Sequence, residues 1–430
     1  MAEATSNMLN YADTKLKASS SKAYRVKIPS SNGGTFNMNQ TIDIDLPSNT
    51  RNTYLDFGSS YLSFNVTNID GDPIKLPGCG AYGLFKKFEA VVGSQTLFSI
   101  DNYNQLCDML LDQDTGVNYK NGTGKVLFGS TQNKFTGFAM AAGAKKSVAL
   151  PLIGNILYNT DKYIPLFSSD KIRLKLTLDT AVIATIGAAT DAEITITDVN
   201  FVGYFVEVDE AVQQQIDMNT NGLYEIVADN YSHASNSIEA NATNVTVTTG
   251  FSYGSLNRVM LAFNPTASRV ADRESFCRTQ AGLLDCAVTV NGQKVPARSI
   301  KDLTIPGGSL GGAEPLAELL VADKALASFT HDSSFHGPGS GAYTLVTAAT
   351  AGNADATVGT FFLAIDTEKM RTGDKIYSGL NTIGSTVQVQ AEMTAGNANI
   401  ASNVDAFANY TTKFTLDASP QGSNVWTVQV

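Results

Sequence analysis

The sequence predicts an all-β protein built as two tandem β-sandwiches, and three observations carry that prediction. The first is period-two alternation. In residues 61–67, Leu62, Phe64 and Val66 alternate with Ser63, Asn65 and Thr67, the pattern of a strand buried on one side. The second is a recurring hairpin. Ala90-Val-Val-Gly-Ser-Gln has a counterpart in Ala287-Val-Thr-Val-Asn-Gly-Gln, and Gln293 follows Gln95 by 293 − 95 = 198 residues. The third is length. A chain of 430 residues exceeds a single hydrophobic core and fits two units of about 200 residues each.

The elements follow in order. Residues 1–24 are rich in Ser, Ala, Lys and Asn without periodicity, which reads as an N-terminal arm that is disordered or takes its structure from a neighbour. From Arg25 to Lys27 and through Ile42, Ile44 and Leu46 the chain is strand-like, and Tyr54–Phe57 and Tyr61–Val66 continue it. Residues 68–80, with Asp70-Gly71, Asp72-Pro73 and Pro77-Gly78, form a turn-rich connection. Phe88, Ala90 and Val92 alternate up to Gly93-Ser94, where Gly in the first central position suits a two-residue type II′ turn, and Leu97–Ile100 returns. The period then changes. Tyr103, Leu106, Cys107, Leu110 and Leu111 fall on one helical face, Asp101 is placed to cap that helix, and the helix is expected to close the end of the first sandwich with Gln105 on its wet side.

Residues 112–146, punctuated by six glycines from Gly116 to Gly143, read as a long surface excursion. Ile172, Leu174, Leu176 and Leu178 alternate with Lys171, Arg173, Lys175 and Thr177, a half-buried strand with a positive wet face. Residues 193–208 read as two further strands, and Asp209–Met218 as a linking helix. The domain expectation is therefore an arm at 1–24, a first sandwich at 25–210, a linker at 211–222 and a second sandwich at 223–430. In that second unit Val245–Thr249 and Arg258–Phe263 open the sheet, Pro315–Phe329 supplies a helix, and residues 333–358 form a Ser/Gly/Ala/Thr-rich loop. Phe361–Ile365 continues the sheet. Gly384–Met393 and Thr411–Val430 close the second unit as Ser168–Leu178 and Glu193–Val208 close the first.

Composition narrows the function. Apolar residues make up 43% and charged residues 16%, below the roughly 25% of an average domain, so much of the surface is Asn, Thr, Ser and Gly, as suits contact with identical neighbours. The net charge of −10 argues against attraction of the whole chain to nucleic acid. Residues 1–27 carry Lys15, Lys17, Lys22, Arg25 and Lys27 against Glu3 and Asp13, too few cations for a genome-neutralising tail. Contact with neighbouring subunits or an inner layer is the arm's expected role. Cys79, Cys107, Cys277 and Cys286 form no C-x-x-C pair and read as reduced, buried thiols. No apolar run approaches the roughly 20 residues of a membrane span, and the polar start lacks a signal-peptide core, so synthesis inside a cell without secretory export is expected.

No residue set predicts chemistry. His331 and His336 lie five apart in a Ser/Gly-rich loop, with His233 far upstream, and the His-x-His pairs of metal-holding cupins are absent. Asp70-Gly71-Asp72 lacks the spacing of a calcium loop and reads as a turn. Gly307-Gly308-Ser309-Leu310-Gly311 spells a serine elbow without the strand-to-helix context the elbow needs. Sequons such as Asn65-Val-Thr and Asn409-Tyr-Thr fit chance in an Asn/Thr-rich chain. Trp426 reads as core.

The order Tyr61-Leu-Ser-Phe, Val91-Val-Gly-Ser-Gln, Asp101-Asn-Tyr-Asn-Gln-Leu and Ser378-Gly-Leu-Asn-Thr resembles major capsid proteins with a double jelly roll, as in polinton-like viruses, virophages and related DNA viruses. The resemblance covers most of residues 40–430. It implies two tandem jelly-roll β-sandwiches with long surface loops and a few short helices, and homotrimeric, pseudo-hexagonal capsomers that assemble an icosahedral shell. It further implies partners in the chain itself, in neighbouring capsomers, and in penton and minor capsid proteins. The location is then the virion, after assembly in the host cytoplasm or nucleus. No catalytic, cofactor-binding or metal residues, no cofactor and no sequence-specific nucleic-acid contact are expected. The competing readings are a glycan-binding sandwich module, which needs exposed aromatics converging on a pocket, a single-jelly-roll capsid protein with a projecting domain, and a metal-dependent sandwich enzyme, which needs clustered His and carboxylates.

Overall fold

A computed structural model of the chain describes residues 21–132, 137–167, 170–185, 193–239, 242–265, 276, 278–279, 283–301, 313–322, 358–359, 361–369, 378–393, 401–419 and 425–429. The first half runs β1 (Ser21–Pro29), β2 (Thr35–Asn37), β3 (Thr41–Asp45), β4 (Thr53–Asn68), β5 (Ile74–Leu76), β6 (Phe85–Val92), β7 (Gln95–Asp101), α1 (Tyr103–Asp114), α2 (Val117–Asn121), α3 (Thr123–Phe128), β8 (Phe138–Met140), β9 (Lys145–Leu150), α4 (Ile156–Asn159), β10 (Ile164–Pro165), β11 (Ile172–Leu178), α5 (Ala181–Ala184) and β12 (Ile194–Val208). Helix α6 (Glu210–Thr220) leads into β13 (Leu223–Ser237), β14 (Asn244–Thr249), β15 (Leu256–Pro265), β16 (Arg278–Thr279), β17 (Leu283–Val290), β18 (Gln293–Ile300), α7 (Ala313–Ala322), β19 (Val358–Gly359), β20 (Leu363–Asp366), β21 (Val387–Met393), β22 (Ala401–Asp417) and β23 (Trp426–Gln429).

The two halves repeat one topology. In the first, one sheet has the order β3-β11-β6-β7 and the other contains β1-β12-β4; in the second, the matching orders are β14-β21-β17-β18 and β13-β22-β15. The repeated hairpins are where the sequence places them. Val92 pairs Gln95 and Val290 pairs Gln293, so each turn has two central residues. Gly93 takes φ 56°, the left-handed first position of a II′ turn, while Asn291 and Gly292 both take positive φ, as a type I′ turn requires.

Alternation sets the burial. β11 buries Ile172, Leu174, Leu176 and Leu178 and turns Arg173, Lys175 and Thr177 outward, where Arg173 meets Asp45 of β3. The two inner faces interdigitate, with the Phe64 and Phe85 rings edge to face at 5.7 Å between centroids. The second half differs in one respect. Along β15, Val259, Leu261 and Phe263 face the core of their own sandwich, while Met260 and Ala262 belong to the core of the first half. Phe407, Phe414, Leu416 and Trp426 also join that first core. β15 is therefore buried on both faces, and its near-continuous apolar run Val259-Met-Leu-Ala-Phe follows from that.

Several expectations are corrected. The strand expected from Arg25 begins at Ser21, paired with Val208. Residues 193–208 form one strand, because the break in alternation is a bulge centred on Asp198, whose φ is 57° and beside which the pairing with β4 shifts register. The span 112–146 is not a loop but the end of α1, two short helices and β8, packed inward through Lys120, Gly124, Phe128, Ser130 and Met140. The C-terminal counterpart of β12 starts at Ala401, not Thr411, with β23 pairing onto it. The described helix of the second half covers Ala313–Ala322. Residues 1–20, His331, His336, Cys277, the Gly307–Gly311 elbow, the 323–357 span and the Asn241 sequon lie outside the described residues.

Candidate functional site

Helix α1 is the centre of the molecule. Every residue from Tyr103 to Gln113 is buried, polar positions included. The reason is its place between the halves rather than over the end of one. Tyr103, Leu106, Cys107 and Leu110 enter the first core, and Leu106 and Leu110 pack onto Gly154. The opposite, polar stripe faces the second half. Asp101 does not cap the helix. Asn102 holds the N-cap position instead, in the left-handed region at φ 48°, where Asn is tolerated best after Gly, and its side chain makes no bond to the helix. Its amide is aimed across the junction at His233 Nε2 (3.3 Å) and Asp405 Oδ1 (3.4 Å).

The stripe continues down the helix. Gln105 Nε2 donates to Asn264 Oδ1 at 2.9 Å, against the sequence expectation that Gln105 faces water. Asp108 Oδ2 accepts from Arg278 at 2.6 Å, and Asp112 accepts from both Arg278 and Lys120. The Arg278 side chain is wholly buried, lies over the Phe362 ring and donates through Nε to the Phe361 carbonyl at 3.1 Å. Two carboxylates thus meet two cations, which is the condition under which buried charges are tolerated. At the helix start Asp405 Oδ1 accepts from His233 Nε2 at 2.8 Å, and its other oxygen accepts from Asn264 and Asn403. His233, read from the sequence as remote from any site, is a buried junction residue packed on Phe407.

Of two further devices, the first joins the halves and the second closes the second half on itself. Gln213 of α6 accepts from the Tyr54 hydroxyl at 2.7 Å and donates to the Tyr224 hydroxyl at 2.8 Å, and Tyr224 donates to Asp217. Burial pushes the Tyr224 phenol well above its ordinary range, so it remains a donor. The Ser378-Gly-Leu-Asn-Thr stretch clasps the loop before β15. Leu380 and Leu256 exchange backbone hydrogen bonds, Gly379 N–H donates to Ser255 Oγ at 3.0 Å, and a Cβ on Gly379 would stand 2.5 Å from the Leu256 carbonyl oxygen.

The outer surface offers an uncovered apolar edge. Tyr24 and Val26 of β1 pair with Phe205 and Gly203, so they share the core-facing side of that sheet, and Tyr24 stacks on Phe205 at 6.0 Å. Yet Tyr24 is 41% exposed and Val26 39%. As for chemistry, Asp70 and Asp72 close a local turn, with Asp72 N–H donating to Asp70 Oδ1 at 3.2 Å. Cys107 and Cys286 are buried free thiols, and Cys79 is buried as well. Among the described residues no three His, Cys, Asp or Glu side chains gather as metal ligands, and no helix is long and apolar enough to cross a membrane.

No family model and no curated protein matches the sequence. Solved structures do match in shape. A chain of the PBCV-1 virus capsid superposes with a TM-score of 0.62 at 11% identity, covering 96% of this chain and 98% of that one. A chain of the Sputnik virophage gives 0.58 at 10%, covering 100% and 93%. The mavirus major capsid protein gives 0.53 at 13%, covering 100% and 95%. The chain has the double jelly-roll fold.

Proposed function

We propose that this protein is the major capsid protein of a DNA virus and acts through interfaces rather than chemistry. The observation that carries the reading is the duplication: two sandwiches of matching sheet order in one chain, fused by a shared core. Each chain then presents two similar but non-identical blocks, and three chains around a threefold axis present six similar sides. Rigid fusion suits that role. The buried Arg278 junction and β15, covered on both faces, hold the two blocks at one angle, as a repeating shell unit requires. The first block then starts at Ser21, where β1 begins, and α6 (Glu210–Thr220) links it to the second, residues 223–430.

The uncovered Tyr24/Val26 edge supports self-association, since contact between copies would remove it from water. Such trimers would tile an icosahedral shell in the virion, with penton and minor capsid proteins at its special positions. Light scattering of recombinant protein is expected to give the mass of three chains, and electron micrographs to show triangular particles with a hexagonal base. A stable monomer that forms no particles at high concentration would overturn the reading.

A further inference from the structure

A groove of about 600 Å³ opens on the outer face of the first sandwich, where it meets α6 and β13. Its floor is apolar: Tyr54 and Val206, paired partners in the first sheet, with Val212 and Ile216 of α6 and Ile226 of β13. Tyr163, 51% exposed, is one wall. A volume in the range of small ligand pockets, about 300–1,000 Å³, and an apolar floor suit a run of apolar side chains.

The chain itself brings such a run to this place. Ser21 lines the groove and pairs with Val208, another lining residue, so the twenty residues before it leave the described fold at the groove's edge. Within those residues Met8, Leu9 and Tyr11 form a compact apolar cluster, followed by Lys15 and Lys17. Nine residues lie between Tyr11 and Ser21, a reach of roughly 30 Å if extended, which covers any point of the groove. The lining also carries Asp161, Lys162 and Glu225, the last of them ion-paired with Lys413.

We infer that the groove is the docking site of this chain's own N-terminal segment, with Met8, Leu9 and Tyr11 on the apolar floor. Tethering at Ser21 supplies a high effective concentration for a short segment of modest intrinsic affinity. The inference does not depend on the shell reading, because it concerns a single subunit before any assembly.

The test uses a fluorescent peptide of residues 1–20 and the protein lacking those residues. Anisotropy is expected to show saturable, one-to-one binding to the truncated protein, weakened at least about tenfold on the full chain, where the tethered segment competes. A peptide with Met8, Leu9 and Tyr11 changed to Ser should bind at least about 100-fold more weakly, as should the wild-type peptide to truncated protein carrying Val212→Asp and Ile216→Asp. If truncation or the groove variant impairs folding, hydrogen exchange on the intact chain decides instead: amides of residues 212–226 should lose protection when Met8, Leu9 and Tyr11 become Ser. Absence of saturable binding, binding indifferent to the groove substitutions, or unchanged exchange would overturn the inference.

Discussion

Replacing Arg278 with Ala tests the junction directly. The guanidinium is wholly buried and holds two carboxylates, Asp108 and Asp112, whose own side chains are at most 2% exposed. Its removal leaves Lys120 as the cation bonded to Asp112, takes the guanidinium from Asp108, and frees the Phe361 carbonyl of one donor. Breaking a buried pair from one side costs about 3–5 kcal/mol, because a buried charge then loses compensation without regaining water. Arg298→Ala is the control. That side chain is 60% exposed while bridging Glu314 and Glu318, and exposed pairs contribute about 0–1 kcal/mol. Urea unfolding followed by circular dichroism should therefore move the midpoint strongly for Arg278→Ala and hardly at all for Arg298→Ala. Equal, small shifts in the two variants would refute the account of a buried ionic clamp between the halves.

Three other outcomes are expected. Leu106→Ala should cost about 2–5 kcal/mol as a core cavity, and Gln105→Ala about 1–3 kcal/mol by stranding Asn264, so a thermally silent Gln105→Ala would show that the polar stripe does not face the second half. Burial pushes the Cys107 thiol up and that of Cys286 to about 12, and Cys79 is buried too, so a thiol reagent near pH 8 should titrate at most one of the four cysteines until denaturant is added. The hydrogen bond from Arg173 holds the Asp45 carboxyl below its ordinary range, so its stabilisation is present above the unfolded-state value and is lost as pH falls through the folded-state value. Asp45→Asn should accordingly flatten the acid limb of the stability curve, and an identical pH profile in the variant would contradict that linkage.

The legible parts of the fold were those in which a local pattern and the global structure demand the same thing. The alternation at Ile172–Leu178 appears as burial on one face, and Gly93 and Asn291-Gly292 sit where only turn-forming residues accept positive φ. The 198-residue offset between Gln95 and Gln293 reappears as matched sheet orders. Misreadings arose where polarity stood for exposure. Gln105, Asp108 and Asp112 lie on the polar side of an amphipathic helix, and the rule that such a side meets water holds only if nothing else covers it. Here the second sandwich covers it. The bulge at Asp198 likewise broke an alternation that one strand carries through.

By itself, then, the sequence determined the class, the doubling, the turns and the inward faces of the strands, because backbone geometry and hydrophobic periodicity act over a few residues. Only the tertiary structure decided that the halves share a core, that His233 and Arg278 are buried opposite α1, and that β15 is covered on both faces. The polar contacts from Asn102 and α1 to the second half join residues 131 to 303 positions apart, as Asn102 with His233 and with Asp405. Complementarity across such distances in the chain leaves no periodic trace: an aspartate awaiting a buried arginine reads the same as one awaiting water until the fold brings the two together.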